Sequence, residues 1–98
     1  MAQLIYSRQA LVDLDRLIDL LLEVDAPMAP QAATLITEAV QVMANHPLIG
    51  RGIEAGLREL IISRGRTAYV ALYSYEPADD SVLVLAIRHS REAGYPAE

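Results

Sequence analysis

The sequence predicts an α+β domain in which two helices pack on one face of a small, mostly antiparallel sheet, in the order β-α-α-β-β-β. Residues 8–24 and 30–45 carry apolar side chains at helical spacing, and only a short break separates them. Residues 57–89 contain three short apolar runs separated by turn residues, which is typical of consecutive antiparallel strands. Two helices with so short a connection form an αα-hairpin, and such a hairpin can cover one face of a sheet.

The composition limits the class of protein. The 98 residues make one domain, 1–98, which is long enough to bury roughly 60–70% of the surface that the unfolded chain exposes. There is no cysteine, so disulfides and thiolate metal sites are excluded. The first residues lack the pattern of a signal peptide, and no apolar run is long enough for a membrane span. We therefore expect a cytoplasmic protein with no membrane partner.

Charge is unevenly distributed along the chain. The net charge is −5, from thirteen acidic and eight basic side chains, and every basic side chain is an arginine. Six of the eight arginines lie in residues 50–98. An acidic chain lacks the basic field that a grip on a nucleic-acid backbone needs, and we expect no direct sequence-specific nucleic-acid binding by this chain alone. Arginine is thus concentrated in the half of the chain that is predicted to form the strands.

The first half of the chain predicts a strand and two helices. Residues 3–6 form a short extended run that ends at Ser7, a good N-cap for the segment that follows. The first helix, 8–24, has an apolar stripe from which its charged residues are largely excluded. The stripe consists of Leu11, Leu14, Leu17, Ile18 and Leu21, and the charged residues include Asp13, Arg16, Asp19 and Glu23. The second helix begins near Pro30, which suits a first helical turn, and ends before Pro47, which disfavours a helical residue in front of it.

The second half predicts a loop and three strands. Residues 47–56 contain three glycines, which favour a tightly turning loop on the solvent side. Strands are expected at 57–63, 68–75 and 81–89, with turns at 64–66 and 76–80. Both alternating sets of side chains in the last two strands are largely apolar, so neither face of the sheet is predicted to be wet. The helical hairpin can cover one face only, and the other needs a partner, a second copy or the C-terminal tail.

Several short motifs occur in a characteristic order along the chain. They are Ser7 ahead of a helix with Ala10 and Leu14, Pro47 with Gly50-Arg51, Leu57-Arg58-Glu59-Leu60, Tyr69-Val70, and the ending Val84-Leu85-Ala86-Ile87-Arg88-His89-Ser90-Arg91. Together they resemble the RelE/ParE superfamily of small bacterial toxins over nearly the whole chain. The ending is more similar to the ParE branch than to the RelE branch.

The resemblance implies a toxin of a type II toxin–antitoxin pair, held inactive by a cognate ParD-like antitoxin in a complex that can be a heterotetramer. It also implies one of two activities. ParE-like toxins inhibit DNA gyrase by trapping its cleaved DNA complex, whereas RelE-like toxins cleave messenger RNA in the ribosomal decoding site. A non-toxic protein of the same fold, serving only to bind its antitoxin, is a third interpretation. We expect gyrase inhibition by binding, without covalent chemistry.

The expected contacts with the target are arginines of the second half and one histidine. Arginine offers planar, bidentate recognition of carboxylate or phosphate. The candidates are Arg58, Arg64, Arg66, Arg88, His89 and Arg91. Each residue also has a structural interpretation. Arg58 can pair with an acidic residue on a neighbouring element, and His89 can be a hydrogen-bonded strand end. Arg64 and Arg66 can be ordinary solvated charges at a turn.

The expected antitoxin contacts lie on the first helix and on the middle strand. They are Leu14, Ile18, Tyr69, Tyr73 and Tyr75. An extended, partly helical antitoxin tail would lay apolar side chains over the helices and the free face of the sheet, and would become ordered as it binds. The three tyrosines share one face of a regular strand, so they form either core or a platform for the antitoxin.

The nuclease alternative requires a base for the 2′-hydroxyl, an acid for the leaving oxygen and cations for the phosphorane. Its candidate residues are Arg66, His89 and Tyr95. The resemblance places Arg66 where mRNA-cleaving relatives contact phosphate. However, the chain has no lysine, which often fills these roles in the RelE branch. His89 also lies one position short of the histidine that some relatives use, and such an offset turns a strand side chain to the opposite face.

No metal or cofactor is expected. The two histidines, His46 and His89, are forty-three positions apart and match no zinc motif. The glycines of the loop do not match a nucleotide-binding fingerprint. Glu54 lies in the loop where some relatives hold a general base, although a solvated surface charge is the commoner reason for a glutamate there.

Overall fold

The computed structural model describes residues 1–65 and 67–92, except for the side chain of Arg64. The elements are β1 (Gln3–Tyr6), α1 (Arg8–Val24), α2 (Met28–Asn45), β2 (Arg51–Gly52), β3 (Leu57–Arg64), β4 (Thr67–Glu76) and β5 (Ser81–His89). The five strands form one sheet in the order β1-β5-β4-β3-β2. β1 pairs with β5 in parallel, and the other neighbouring strands are antiparallel. The predicted α+β fold, with a helical hairpin and a mostly antiparallel sheet, is confirmed.

Both helices begin where local chemistry favours them. The hydroxyl of Ser7 caps α1 by accepting a hydrogen bond from the N–H of Ala10 at 3.1 Å. α2 begins at Met28, two residues before the predicted start at Pro30. The reason is that Pro27 already has helical dihedral angles, with φ −62° and ψ −22°, so the connection leads directly into the helix. Neither helix is long and apolar enough to cross a membrane.

The predicted loop over residues 47–56 contains two short regular elements. Arg51–Gly52 forms an edge strand that pairs with β3, and Glu54–Gly56 forms a 3-10 turn. Gly56 has a φ of 74°, in the left-handed region that glycine adopts at little cost. A strand of two residues depends on backbone partners and has no apolar alternation, so the sequence pattern did not reveal it.

The core lies between the helical hairpin and one face of the sheet. α2 contributes Ile36, Val40 and Met43, which are completely buried. Tyr73 on β4 and Ile87 on β5 are also completely buried and are among the largest side chains of the core. This continuous packing joins the hairpin and the sheet into one unit.

The opposite face of the sheet, which we call the open face, carries apolar side chains that α1 and α2 leave uncovered. Ile61 on β3 is 63% exposed and Ile5 on β1 is 42% exposed. Leu72 and Leu83, from the two central strands, are half-buried on the same face. The open face therefore offers an apolar surface to a partner, as the alternation of the strands predicts.

β5 does not keep the regular alternation that its sequence predicts. Val84 faces the core, but the next core side chain is Ile87, three positions further on. Consecutive residues of β4 pair with Val84 and Ala86, which leaves Leu85 as an extra residue in β5. This is a β-bulge, and it moves the side chains that follow it onto the opposite faces of the sheet.

α1 departs from its predicted pattern at Asp13. The sequence groups this residue with the charged side chains outside the apolar stripe, but its side chain is completely buried. Its carboxylate accepts a hydrogen bond from the N–H of Ile87 at 2.9 Å and another from the side-chain amide of Gln9 at 2.8 Å. A carboxylate is tolerated in a protein interior when its oxygens are hydrogen-bonded, so these contacts explain the burial.

Candidate functional site

Most of the predicted target contacts lie at one end of the sheet. The connection between β3 and β4 brings Arg64 opposite Thr67, and the end of β5 brings His89 opposite Tyr69. We use the name arginine end for Arg64, Arg88, His89 and Arg91. Arg91 is exposed, and both Arg88 and His89 are half-buried. For Arg64 the backbone alone is described, and it ends β3 at this side of the sheet.

Arg58 lies at the other end of β3. Six positions separate it from Arg64, a span of about 20 Å in an extended strand. Its guanidinium donates to the carbonyl of Gly50 at 2.7 Å and thereby ties the loop after α2 to the sheet. The structural interpretation predicted an acidic partner for Arg58, whereas the partner in the structure is a backbone carbonyl. The acidic neighbour Glu59 pairs with Arg51 at 3.0 Å.

The chain leaves β5 through residues 89–92, which we call the C-terminal turn. One terminal nitrogen of Arg88 donates to three carbonyls of this turn, with the shortest bond to Glu92 at 3.1 Å. The carboxylate of Glu92 accepts hydrogen bonds from both terminal nitrogens of Arg16, at 2.8 and 3.2 Å. α1 and β5 are thus joined at the turn, which fixes the position of Arg91.

His89 is held in a defined orientation. Its Nδ1 accepts a hydrogen bond from the backbone N–H of Arg91 at 3.1 Å, so the neutral ring carries its proton on Nε2. The ring stands edge-on to Tyr69, with centroids 5.5 Å apart and an interplanar angle of 83°. These are the contacts of a hydrogen-bonded strand end, on the side of the sheet that the helices cover.

The three tyrosines of β4 divide between core and surface. Tyr69 is 2% exposed and Tyr73 is 0% exposed, and both belong to the core. Of the two roles that the sequence allows, the core role therefore applies to these two rings, which are hidden from an antitoxin in this structure. Tyr75 is half-buried, and its hydroxyl donates to the carboxylate of Asp80 at 2.8 Å. It is the tyrosine of this strand that a partner can reach.

An apolar stripe runs along one side of α1 at the edge of the core. Leu11 is 51% exposed and Leu22 is 54% exposed. Leu14 and Ile18, both predicted antitoxin contacts, lie between them and are half-buried. Spacings of three, four and four residues place all four side chains on one side of a helix, and we call them the α1 stripe.

The arginine end offers guanidinium groups and one imidazole, and the phenol of Tyr69 lies next to the imidazole. Burial raises the pKa of Tyr69 above its ordinary value, so this phenol is neutral at neutral pH and can act as a donor but not as a base. The exposed guanidinium of Arg91 suits a carboxylate or a phosphate, whereas that of Arg88 also donates to the C-terminal turn. The described part of the arginine end therefore favours recognition of an anionic group.

Two residues of the nuclease alternative, Arg66 and Tyr95, lie outside the described residues. Within residues 1–65 and 67–92, no group of three histidine, aspartate or glutamate side chains is arranged to hold a metal ion. Glu54 is exposed in its 3-10 turn, which precedes β3, whereas Arg64 of the arginine end is the last residue of β3.

Three residues that hold the arginine end in place were not among the sequence candidates. They are Asp13, Arg16 and Glu92. Arg16 and Glu92 are 76 positions apart, and no local pattern connects them. Asp13 does leave a signal, because it lies three positions after Ala10 and four before Leu17 and so interrupts an apolar helix face.

A family model described as the ParE toxin of the type II toxin-antitoxin system, parDE, matches residues 4–94. The chain belongs to the ParE toxin family. Among curated proteins, this ParE-family toxin is 36% identical over 80 residues to Toxin RelE3 of Caulobacter vibrioides, an alignment that covers 82% of this chain and 85% of the relative. The predicted membership of the RelE/ParE superfamily is confirmed.

Solved structures show the same fold. A chain of the chromosomal ParDE toxin-antitoxin system from P. aeruginosa has a TM-score of 0.76 and 26% identity, covering 91% of this chain and 96% of that one. A chain of the RelBE2 toxin-antitoxin complex from Mycobacterium tuberculosis has a TM-score of 0.65 and 20% identity, covering 90% and 96%. At 20% identity, the likeness to the M. tuberculosis chain concerns the fold alone. The ParE-family chain is a toxin of a type II system whose fold is common to ParE and RelE proteins.

Proposed function

We propose that this ParE-family toxin inhibits DNA gyrase by binding and that a ParD-like antitoxin holds it inactive. The arginine end is the surface that contacts the gyrase–DNA complex. The observation that carries the proposal is the exposed Arg91 beside Arg88 and His89, on a turn that Arg16 fixes through Glu92. The backbone of Arg91 is held by its N–H bond to His89, so less chain freedom is lost on binding, and its exposed guanidinium suits a phosphate or a carboxylate.

Binding fits these residues better than cleavage does. Transfer of the 2′-hydroxyl proton requires a base that faces the RNA. Next to the arginine end, Tyr69 has a raised pKa and is buried. His89 uses Nδ1 to accept the N–H of Arg91, which leaves Nε2 as a donor in the neutral ring. The described groups thus include donors and cations in positions suited to an anion.

The second candidate function is ribosome-dependent cleavage of messenger RNA. It is favoured by the identity with a relative that is named as a RelE toxin. On this proposal Arg66 would contact phosphate, and His89 and Tyr95 would exchange protons with the RNA. Protonation of His89 would then require its ring to release the N–H of Arg91.

The antitoxin is proposed to cover the α1 stripe and the open face. Both are apolar and partly exposed, and both accept side chains from an extended or helical peptide. The two solved structures that this chain resembles are named as a toxin–antitoxin system and as a toxin–antitoxin complex, which supports such a partner. Leu14, Ile18 and Tyr75 are the proposed contacts that remain accessible at least in part.

Induction of the toxin alone in growing cells tests the proposal. Within one generation, plasmid topology and messenger RNA integrity are compared with those of cells that also express the antitoxin. Linear or trapped plasmid with intact messages is the expected result. Cleaved messages with normal plasmid would transfer the proposal to the nuclease, and unaffected growth would identify a non-toxic binding partner of the antitoxin.

Alanine variants of Arg88, His89 and Arg91 test the site. We expect each folded variant to be less toxic, with the largest loss for the exposed Arg91. Arg8→Ala, an exposed arginine on α1 outside the arginine end, is the matched control. Full toxicity of all three folded variants would show that the target contacts lie elsewhere.

A further inference from the structure

The backbone of β5 reverses its hydrogen-bonding direction at the bulge. The carbonyls of Val84 and Leu85 are adjacent in sequence, yet both accept hydrogen bonds from Ser7. The first accepts from its N–H and the second from its hydroxyl, each at 2.9 Å. In a regular strand, adjacent carbonyls point to opposite edges. The reversal therefore affects the backbone of β5 as well as its side chains.

A side chain of α1 bonds to the backbone of β5 after the bulge, where the hydrogen-bonding direction is reversed. β1 pairs with β5 only as far as Val84, so beyond that residue α1 replaces β1 along the same edge. The N–H of Ile87 then donates to the carboxylate of Asp13 at 2.9 Å. The other oxygen of this carboxylate accepts from the side-chain amide of Gln9 at 2.8 Å. A side chain of the helix thus provides the acceptor that a neighbouring strand would otherwise supply.

The packing around Asp13 makes this role specific. Its neighbours on the same face of α1, Ala10 and Leu17, are apolar and buried. An apolar residue at position 13 would suit these surroundings, but it would leave the N–H of Ile87 without its acceptor. A buried carboxylate is unfavourable unless its oxygens are bonded, and both oxygens of Asp13 have donors. The backbone group that Asp13 binds is thus the physical reason for a carboxylate here.

We propose that Asp13 is a positioning residue that determines which side chains of the arginine end lie on which face. With the bulge held, Arg88 lies opposite Val70 on the open face, while His89 contacts Tyr69 on the core side. In a regular strand the two would exchange faces. The inference rests on the proposed function where it concerns toxicity, because it explains why a guanidinium and not an imidazole is presented on the open face.

NMR spectroscopy of the full chain tests the geometry. The wild type is expected to show a nuclear Overhauser contact between the rings of Tyr69 and His89, and slow hydrogen exchange of the Ile87 amide. Asp13→Ala removes the acceptor and is expected to lose both signals. Asp13→Asn retains an acceptor oxygen and is expected to keep both. Asp15→Ala, at an exposed position of the same helix, is the matched control.

Growth arrest by the same variants tests whether this positioning affects toxicity. Asp13→Ala is expected to lower toxic potency by about 30-fold, the effect of losing an anchor contact, and Asp13→Asn is expected to restore it. Growth arrest reports toxicity whichever target is bound. The positioning role and the identity of the target can therefore fail separately, since gyrase inhibition is measured in a different assay.

Three results would overturn the inference. The first is a folded Asp13→Ala variant that keeps the ring contact, and the second is one that loses the contact yet remains as toxic as the wild type. If Asp13→Ala does not fold, the inference is tested on the wild-type chain instead. A scalar coupling across the hydrogen bond from the Ile87 amide to the Asp13 carboxylate is then expected, and its absence is the third such result.

Discussion

The hydroxyl of Tyr73 fastens Gly50 to the core. It accepts a hydrogen bond from the N–H of Gly50 at 2.8 Å and donates one to the carbonyl of Pro47 at 2.9 Å. The tyrosine is completely buried, and Gly50 is also buried. Buried backbone groups need partners, and here one side chain satisfies two groups of the loop that follows α2. The loop is therefore a fixed part of the fold.

Tyr73→Phe is expected to lower the free energy of unfolding by about 1–3 kcal/mol, because it leaves a buried N–H and a carbonyl without their partner. Urea denaturation measures the change. Tyr75→Phe is the matched control, since its hydroxyl bonds to Asp80 at the surface, and a much smaller loss is expected. Equal stability losses in the two variants would show that the loop does not depend on the Tyr73 hydroxyl.

Gly50→Ala is expected to destabilise the fold by overpacking, by about 1–3 kcal/mol. A Cβ at this position would lie 2.7 Å from the carbonyl oxygen of Glu59 and 2.7 Å from the ring of Tyr73. At Gly52 the nearest atom, a nitrogen of Arg58, is 4.0 Å away, so Gly52→Ala should be nearly neutral. A thermal melt of both variants checks the order, and the account of the loop fails if Gly52→Ala is the more damaging change.

The elements were predictable from the sequence because their signals are local. The apolar spacing of α1, the cap at Ser7 and the turns between the last strands each depend on a few neighbouring residues. The bulge at Leu85 was not predictable in the same way, because the residues that bond to β5 around it, Ser7 and Asp13, are far away in the sequence. A regular alternation gives the wrong face for every residue of β5 that follows it.

The candidate site was predicted in part. The sequence indicates that arginine is concentrated in the second half, and the topology brings three of these six arginines, Arg64, Arg88 and Arg91, to one end of the sheet. The sequence did not separate Arg58 from the others, since the separation follows from the opposite ends of β3. Nor did it assign Tyr69 and Tyr73 to the core, because a strand that is apolar on both faces does not show which face the helices cover.

The stability of the fold is expected to fall above about pH 10. Burial raises the pKa of Tyr69 and of Tyr6, so at alkaline pH the unfolded chain ionises these phenols before the folded chain does. Protons are therefore released on unfolding, and the free energy of unfolding decreases as the pH rises. In Tyr69→Phe this decrease should be smaller. Denaturant titrations at about pH 8 and about pH 11 measure it, and identical slopes in wild type and variant would contradict the assignment to Tyr69.

Leu11→Glu is expected to weaken antitoxin binding by about 10-fold or more, because it puts a charge into the α1 stripe. Leu20→Glu is the matched control. Leu11 is 51% exposed and Leu20 is 52% exposed, but nine positions place the two leucines on opposite sides of the helix. Titration of the antitoxin against each folded variant gives the affinities. Equal losses of affinity in both variants, or a loss in Leu20→Glu alone, would show that the antitoxin binds another surface.

A DNA cleavage assay with purified gyrase tests most directly whether the arginine end binds gyrase. The wild-type chain is expected to accumulate linear plasmid, Arg91→Ala to accumulate less, and Arg8→Ala to match the wild type. The antitoxin should abolish the effect. Unchanged cleavage by gyrase in the presence of the wild-type chain, together with cleavage of messenger RNA on translating ribosomes, would contradict the account.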